Sequence, residues 1–254
     1  MMETILAPSL PAPVSFEQVS TARLARMAEA GRKLISTARI LAKTGDSVID
    51  EVTRDCGPLH PYAHYPEGDV VDRESGAQFF FHMHPISPLA MESVQGSSGP
   101  GTLNGHFHCF VPAPGPTGAN GLPRQRRGSG MAHLIAIEAD RQSLPVRLFT
   151  TNRWVTDETW VEAPTAARLA DRFVVELARP SLSVSIWLSS IMRLFQPQIA
   201  GLLAARDATI AALSHFNPAG DAFEDRSLEV PSALAVSVEA QMAGLRAVLA
   251  LRHD

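Results

Sequence analysis

Residues 79–88 read FFFHMHPISP, and residues 105–110 read GHFHCF. Each stretch sets two histidines one residue apart inside an aromatic run. Along an extended strand successive side chains point to opposite faces, so residues i and i+2 share a face. Phe79, Phe81 and Met83 then lie on one face, with Gln78, Phe80, His82 and His84 on the other. In the second stretch Phe107, Cys109 and Val111 oppose His106, His108 and Phe110. The alternation predicts two strands, 77–84 and 105–111, with one face uniformly apolar. That face should pack on helices, leaving the histidine face to line a cavity floored by Phe80 and Phe110.

Two further stretches rich in β-branched and apolar residues, 132–138 and 145–152, read as strands. Upstream, Leu24, Met27, Leu34, Ile35 and Leu41 recur at helical spacing, with Ser20 or Thr21 as the cap and Gly45 as the stop. Residues 50–76 have poor periodicity and carry Pro61 and Pro66, so an ordered loop is expected there. Beyond residue 164 the chain reads as helical, with a bend near Pro197. The Pro- and Gly-dense run PAPGPTGANGLPRQRRGSG at 112–130 reads as a mobile surface insertion, and GSSGPG at 96–101 as a connector. The expected fold is α+β: a small antiparallel sheet carrying a histidine cluster, covered by N-terminal and C-terminal helices. One domain over 1–254 is expected, comprising an N-terminal helix at 16–44, the histidine-bearing sheet and loops at 45–160, and a helical part at 164–254.

The chain has 254 residues, 45% of them hydrophobic, enough for a sizeable core. Its 22 Lys and Arg against 26 Asp and Glu leave a net charge of −4, which argues against nucleic acid as a partner. The first residues lack a basic stretch followed by a long apolar run, so no secretory signal is expected. Cys56 and Cys109 offer no disulfide framework, which favours a reducing, cytoplasmic setting. The most apolar later stretch contains Arg193, Gln196, Pro197 and Gln198, so it reads as a core helix and not a membrane span.

Seven of the nine histidines fall between His60 and His133. If the two His-x-His strands are neighbours, opposed residues lie roughly 4.5–5.5 Å apart and same-face neighbours roughly 6.6 Å apart. Four imidazoles, from His82, His84, His106 and His108, then converge within reach of one metal ion. His133 on the next strand could add a fifth ring or support the others. Neutral imidazole ligates zinc, iron, copper and nickel, and three histidines with an open position is also the pattern of catalytic zinc. Strand parity turns Cys109 and Met83 away from the rings, which counts against copper handling.

HPYAHYPEGDVVD adds His60, His64, Asp69 and Asp72 just before the first histidine strand. Either aspartate could orient a ligating ring by accepting its second N–H, or act as a base. In LFTTNRWVTDETW, Thr151 and Arg153 share parity with Phe149 and Arg147, and Arg153 could hold an anionic substrate group. Asp72 and Arg153 are therefore the catalytic candidates, as proton acceptor and substrate anchor.

In order along the chain, LAKTGDSVIDEV, HYPEGDVVD, FFFHMHP, GHFHCFV, HLIAIEAD and LFTTNRWVTDETW resemble a bacterial family known only as a domain of unknown function. The likeness runs from about Leu41 to Trp160, with a weaker echo in WLSSIMRLFQPQI and AVSVEAQ. In the family's pattern an acidic residue and Gly precede the second histidine pair, where this chain has Asn104 and Gly105. The resemblance implies no activity, so function rests on the site. The residues point to a metal-dependent enzyme acting on a small molecule, with iron or copper and oxidative chemistry ahead of zinc and hydrolysis. A non-catalytic metal- or haem-binding protein is the alternative. A third reading is an interaction module whose long helices pair with another chain, which would make the protein a homo-oligomer or a partner-binding unit.

Overall fold

The computed structural model describes residues 8–84, 104–115 and 129–252. Helix α1 (Thr21–Ala42) starts where the Ser20 side chain accepts the Arg23 N–H, and the chain leaves it through Gly45 at φ +77°. A second helix, α2 (Val48–Thr53), lies where a loop was expected. Its length hides it from periodicity, but Ser47 and Asp50 form a reciprocal capping box.

Six strands follow one another in a fully antiparallel sheet, paired in chain order: β1 (Tyr65–Val71), β2 (Gln78–His84), β3 (Asn104–Pro112), β4 (Met131–Ala139), β5 (Pro145–Thr150) and β6 (Ser232–Ala235). The four expected strands are β2 to β5. β1 comes from the expected loop, and β6 from a segment expected to be helical. β1 is an edge strand whose pairing with β2 shifts register between Tyr65 and Val70, and the irregularity takes up Pro66, Gly68 and Asp69. Proline and glycine are tolerated at such an edge, where no second neighbour needs their backbone. β6 is four residues long, and its far side is met by Ser9 of the N-terminal segment.

Helices α3 (Arg153–Thr156), α4 (Ala163–Ala170), α5 (Leu182–Leu194), α6 (Gln196–Phe216) and α7 (Val238–Leu251) complete the fold, which is α+β as the alternation predicts. The helix expected through residue 180 ends at Ala170. Phe173 and Val175 are buried while Val174 and Glu176 are more open, the burial alternation of an extended segment. Ser189 Oγ serves both the N–H and the carbonyl of Val175, and Asp72 accepts the Glu176 N–H, so side chains replace the helical hydrogen bonds. Near Pro197 the chain breaks between α5 and α6 at Phe195.

The main core joins the apolar sheet face (Phe79, Phe81, Met83, Phe107, Cys109, Ile135, Ile137, Leu148) to Leu24, Met27 and Leu34 of α1 and Trp187, Leu188 and Ile191 of α5. Each such side chain contributes about 1.5–3 kcal/mol on burial. The histidine face is thereby left on the opposite side of the sheet. The run at 112–130 lies largely outside the described residues, and the GSSGPG stretch entirely so. No helix among the described residues is long and apolar enough to cross a membrane.

Candidate metal centre

The β2/β3 register sets His82 directly opposite His106 and Phe80 opposite His108. Both pairs therefore point from one face, as the alternation requires. His82 Nε2 stands 2.8 Å from His106 Nε2, which stands 2.9 Å from His108 Nε2. The three ligand atoms lie within 4.8 Å of one another, and all three residues are buried. An imidazole nitrogen has one in-plane direction, holding either a proton or a lone pair. His106 Nε2 is approached by two other nitrogens, so hydrogen bonding satisfies one approach well and leaves the other poorly matched. A metal ion would engage all three lone pairs together. Nitrogens at about 2.0–2.1 Å from a tetrahedral ion stand about 3.3 Å apart. Displacements of a few tenths of an ångström at the Nε2 atoms would open that space.

His133 joins this face through a bulge. Cys109 pairs with Ile135 but Phe110 pairs with His133, so Leu134 is an extra residue in β4. By simple alternation His133 would share the core face with Ile135 and Ile137; the bulge reverses it. His133 Nε2 sits 3.0 Å from His108 Nδ1, and its Nδ1 sits 3.1 Å from Thr151 Oγ1. With the His108 Nε2 lone pair turned to an ion, Nδ1–H donates to His133 Nε2, and His133 Nδ1–H donates to Thr151. Both His133 nitrogens are then used in orienting His108, the usual arrangement behind a ligating histidine. His84 is half-buried, with its ring stacked 5.1 Å from that of His106 and edge-on to Tyr62.

Burial keeps the rings neutral, the form that binds metal. It lowers His82 to about 4 and His133 to about 3, and holds His106 and His108 well below the usual imidazole range; neighbouring rings add to the effect at His82, His106 and His108. Arg206 adds to it at His133. The surroundings are aromatic: Phe80 lies 4.9 Å from His108, Phe110 5.0 Å from His133, and Phe149 4.9 Å from His106. Cys109 points into the opposite core, where burial raises its thiol.

His64, at the edge of the cluster, lies parallel to Phe80 at 3.6 Å, with its ring centre 6.2 Å from that of His82. Asp69 Oδ1 is 2.9 Å from His64 Nδ1, and Gln78 holds the other Asp69 oxygen at 2.7 Å. Asp69 thus orients His64, which is not one of the three converging rings. Asp72 is occupied differently. Its carboxylate accepts the N–H groups of Glu74, Ser75 and Glu176, with the Glu176 bond the largest cause of its lowered pKa. Arg153 is bound to Glu224 and Asp221 and lies over Phe223. Neither hydrogen-bonds to the cluster among the described residues. His60 shares a cleft of about 600 Å³ with His64, beside α2.

Glu158 escapes sequence reading. Fully buried, it accepts the His133 backbone N–H at 3.0 Å, and burial pushes its carboxyl up to about 7 against the opposing pull of Arg206. Arg206 is 1% exposed and lies 3.8 Å over Trp160. A lone glutamate and a helical arginine carry no spacing signal; only tertiary burial distinguishes them.

A family model described as Domain of unknown function (DUF6969) matches residues 28–236. No curated protein and no solved structure matches the chain.

Proposed function

From the premise that the chain belongs to this family of unknown function, we propose that it is a metal-dependent enzyme whose ion is held by His82, His106 and His108. The observation that carries the reading is the meeting of three neutral Nε2 atoms with 2.8 and 2.9 Å between neighbours. Convergence on one point suits a single ion better than a haem, whose iron takes its axial ligands from opposite faces. The ion supplies redox or Lewis-acid chemistry. Iron or copper with oxidative chemistry on a small apolar substrate is the preferred form. Among the described residues no carboxylate or thiolate joins the three rings, and Phe80, Phe110 and Phe149 surround them.

His64 serves as the proton-transferring group. Asp69 fixes its Nδ1, Phe80 fixes its plane, and Nε2 makes no hydrogen bond among the described residues. Zinc hydrolysis is the second reading, favoured by the match of three neutral histidines to catalytic zinc sites.

Elemental analysis of untagged protein, wild type beside the His82→Ala/His106→Ala variant, tests the proposal. One equivalent of iron or copper, lost in the variant, is expected. Zinc instead would transfer the assignment to hydrolysis. No metal in the wild type, even after reconstitution, would overturn the metal centre itself.

A further inference from the structure

On the far side of the helical layer from the histidines, α1 and α5 enclose a groove of about 580 Å³. Its α5 wall presents Leu182, Ile186, Ser189, Ser190 and Arg193, positions that recur on one side of a helix. Leu182 and Ile186 are 54% and 36% exposed, two large apolar side chains one turn apart beside Val174 and Val175. At its other end the groove runs into a smaller cavity of about 260 Å³, and Arg26 and Arg193 line both. Arg23 also lines this smaller cavity, where its guanidinium donates to Asp171 and Gln196. Among the described residues Arg26 and Arg193 make no hydrogen bond or ion pair. The acidic side chains on the groove are Glu29, drawn aside by Arg32 at 2.6 Å, and Glu176, while Asp171 in the smaller cavity is bound by Arg23 and also feels the charge of Arg26. In a chain of net charge −4, Arg26 and Arg193 therefore stand where the apolar trough meets the smaller cavity, with Lys33 farther along α1.

We propose that this groove binds a single-chain amphiphilic carboxylate, its headgroup on Arg26 and Arg193 and its hydrocarbon chain along Ile186, Leu182 and Val174. Charge and shape specify the occupant together. Two guanidiniums with unused donors match a carboxylate fork. The volume lies within the range of small-molecule sites. Leu182 to Arg193 spans about 16 Å of helix, room for a medium-length acyl chain. The site is separate from the metal centre and stands or falls independently of it.

Calorimetric titration of the full chain with decanoate, methyl decanoate and anionic phospholipid vesicles tests the assignment, beside Arg26→Gln/Arg193→Gln and Ile186→Asp. Decanoate is expected to bind at one site, with the ester and the double arginine variant at least about tenfold weaker, from the loss of charge-assisted hydrogen bonds. Ile186→Asp should remove binding while its unfolding transition stays that of wild type, since the side chain is partly exposed. Equal affinity for ester and acid would overturn the headgroup assignment. Vesicle binding that decanoate does not displace would assign the face to a membrane surface instead. A dimer in sedimentation that Ile186→Asp dissociates, without decanoate binding, would assign it to a second copy.

Discussion

Acid should destabilise the metal-free protein at a pH where ordinary carboxylates are still ionised. His106, His108 and His133 are buried and kept neutral, with ordinary values of 6.5 expected in the unfolded chain. Below pH 6.5 the unfolded state therefore binds protons that the folded state refuses, and stability falls as pH falls. The contribution is fully present above pH 6.5 and is lost progressively below it. At pH 5 the proton refused by His133 costs about 2 kcal/mol, and His82, His106 and His108 act in the same direction. Glu158, raised to about 7, takes up a proton in the folded state and offsets part of this loss, about as much as one ring contributes, so the net effect of acid is still destabilising. Urea unfolding followed by circular dichroism at pH 7.5, 6 and 5 measures it directly. A large drop in the midpoint between pH 7.5 and pH 5 is expected, and a flat midpoint would falsify the placement of three neutral rings in the interior. An ion at a hundred times its dissociation constant should restore about 2.7 kcal/mol at neutral pH, and less at pH 5, where protons compete for the same nitrogens.

His106→Ala should abolish stoichiometric metal binding, because its Nε2 is the atom the other two approach. Thr151→Val removes only the last link behind His108 and His133, and should weaken metal affinity by about tenfold or more in a competition titration with a chelating dye. A Cβ added at Gly105 would stand 2.3 Å from Phe81 Cζ and 2.8 Å from the His82 carbonyl oxygen, so Gly105→Ala should cost about 1–3 kcal/mol, read as a lowered thermal midpoint. Glu158→Leu strands the His133 N–H and should lose about 1–3 kcal/mol in urea unfolding, whereas Glu158→Gln keeps an acceptor and should lose less.

The alternation around Phe79 to His84 and Gly105 to Val111 was enough to specify two strands, their apolar and histidine faces, and the exclusion of Cys109 from the site. Parity is a local property of extended backbone, so it can be read without knowing what packs where. Helix α1 was equally legible from its spacing and its Ser20 cap. β1 was not, because the signals that argue against a strand, Pro66 and Gly68, are tolerated at a sheet edge, and edge position is a tertiary fact. β6 was hidden for a related reason. Its four residues are held by pairing with β5 and the bridge to Ser9, both distant in sequence.

For the candidate site, sequence alone determined that His82, His84, His106 and His108 share a face if their strands pair. Tertiary structure decided the register that sets His82 against His106, and the narrower group of three whose Nε2 atoms meet. It also decided the bulge at Leu134 that carries His133 across the sheet, against its parity with Ile135 and Ile137. Asp69 and Asp72 were both candidates to orient a ring, and Asp72 was singled out as the proton acceptor. Their roles separated only where the β1–β2 hairpin brought one to His64 and the other to the backbone of Glu176. Side-chain direction follows from the backbone of a few residues, whereas hydrogen-bond partners and burial depend on segments a hundred residues away.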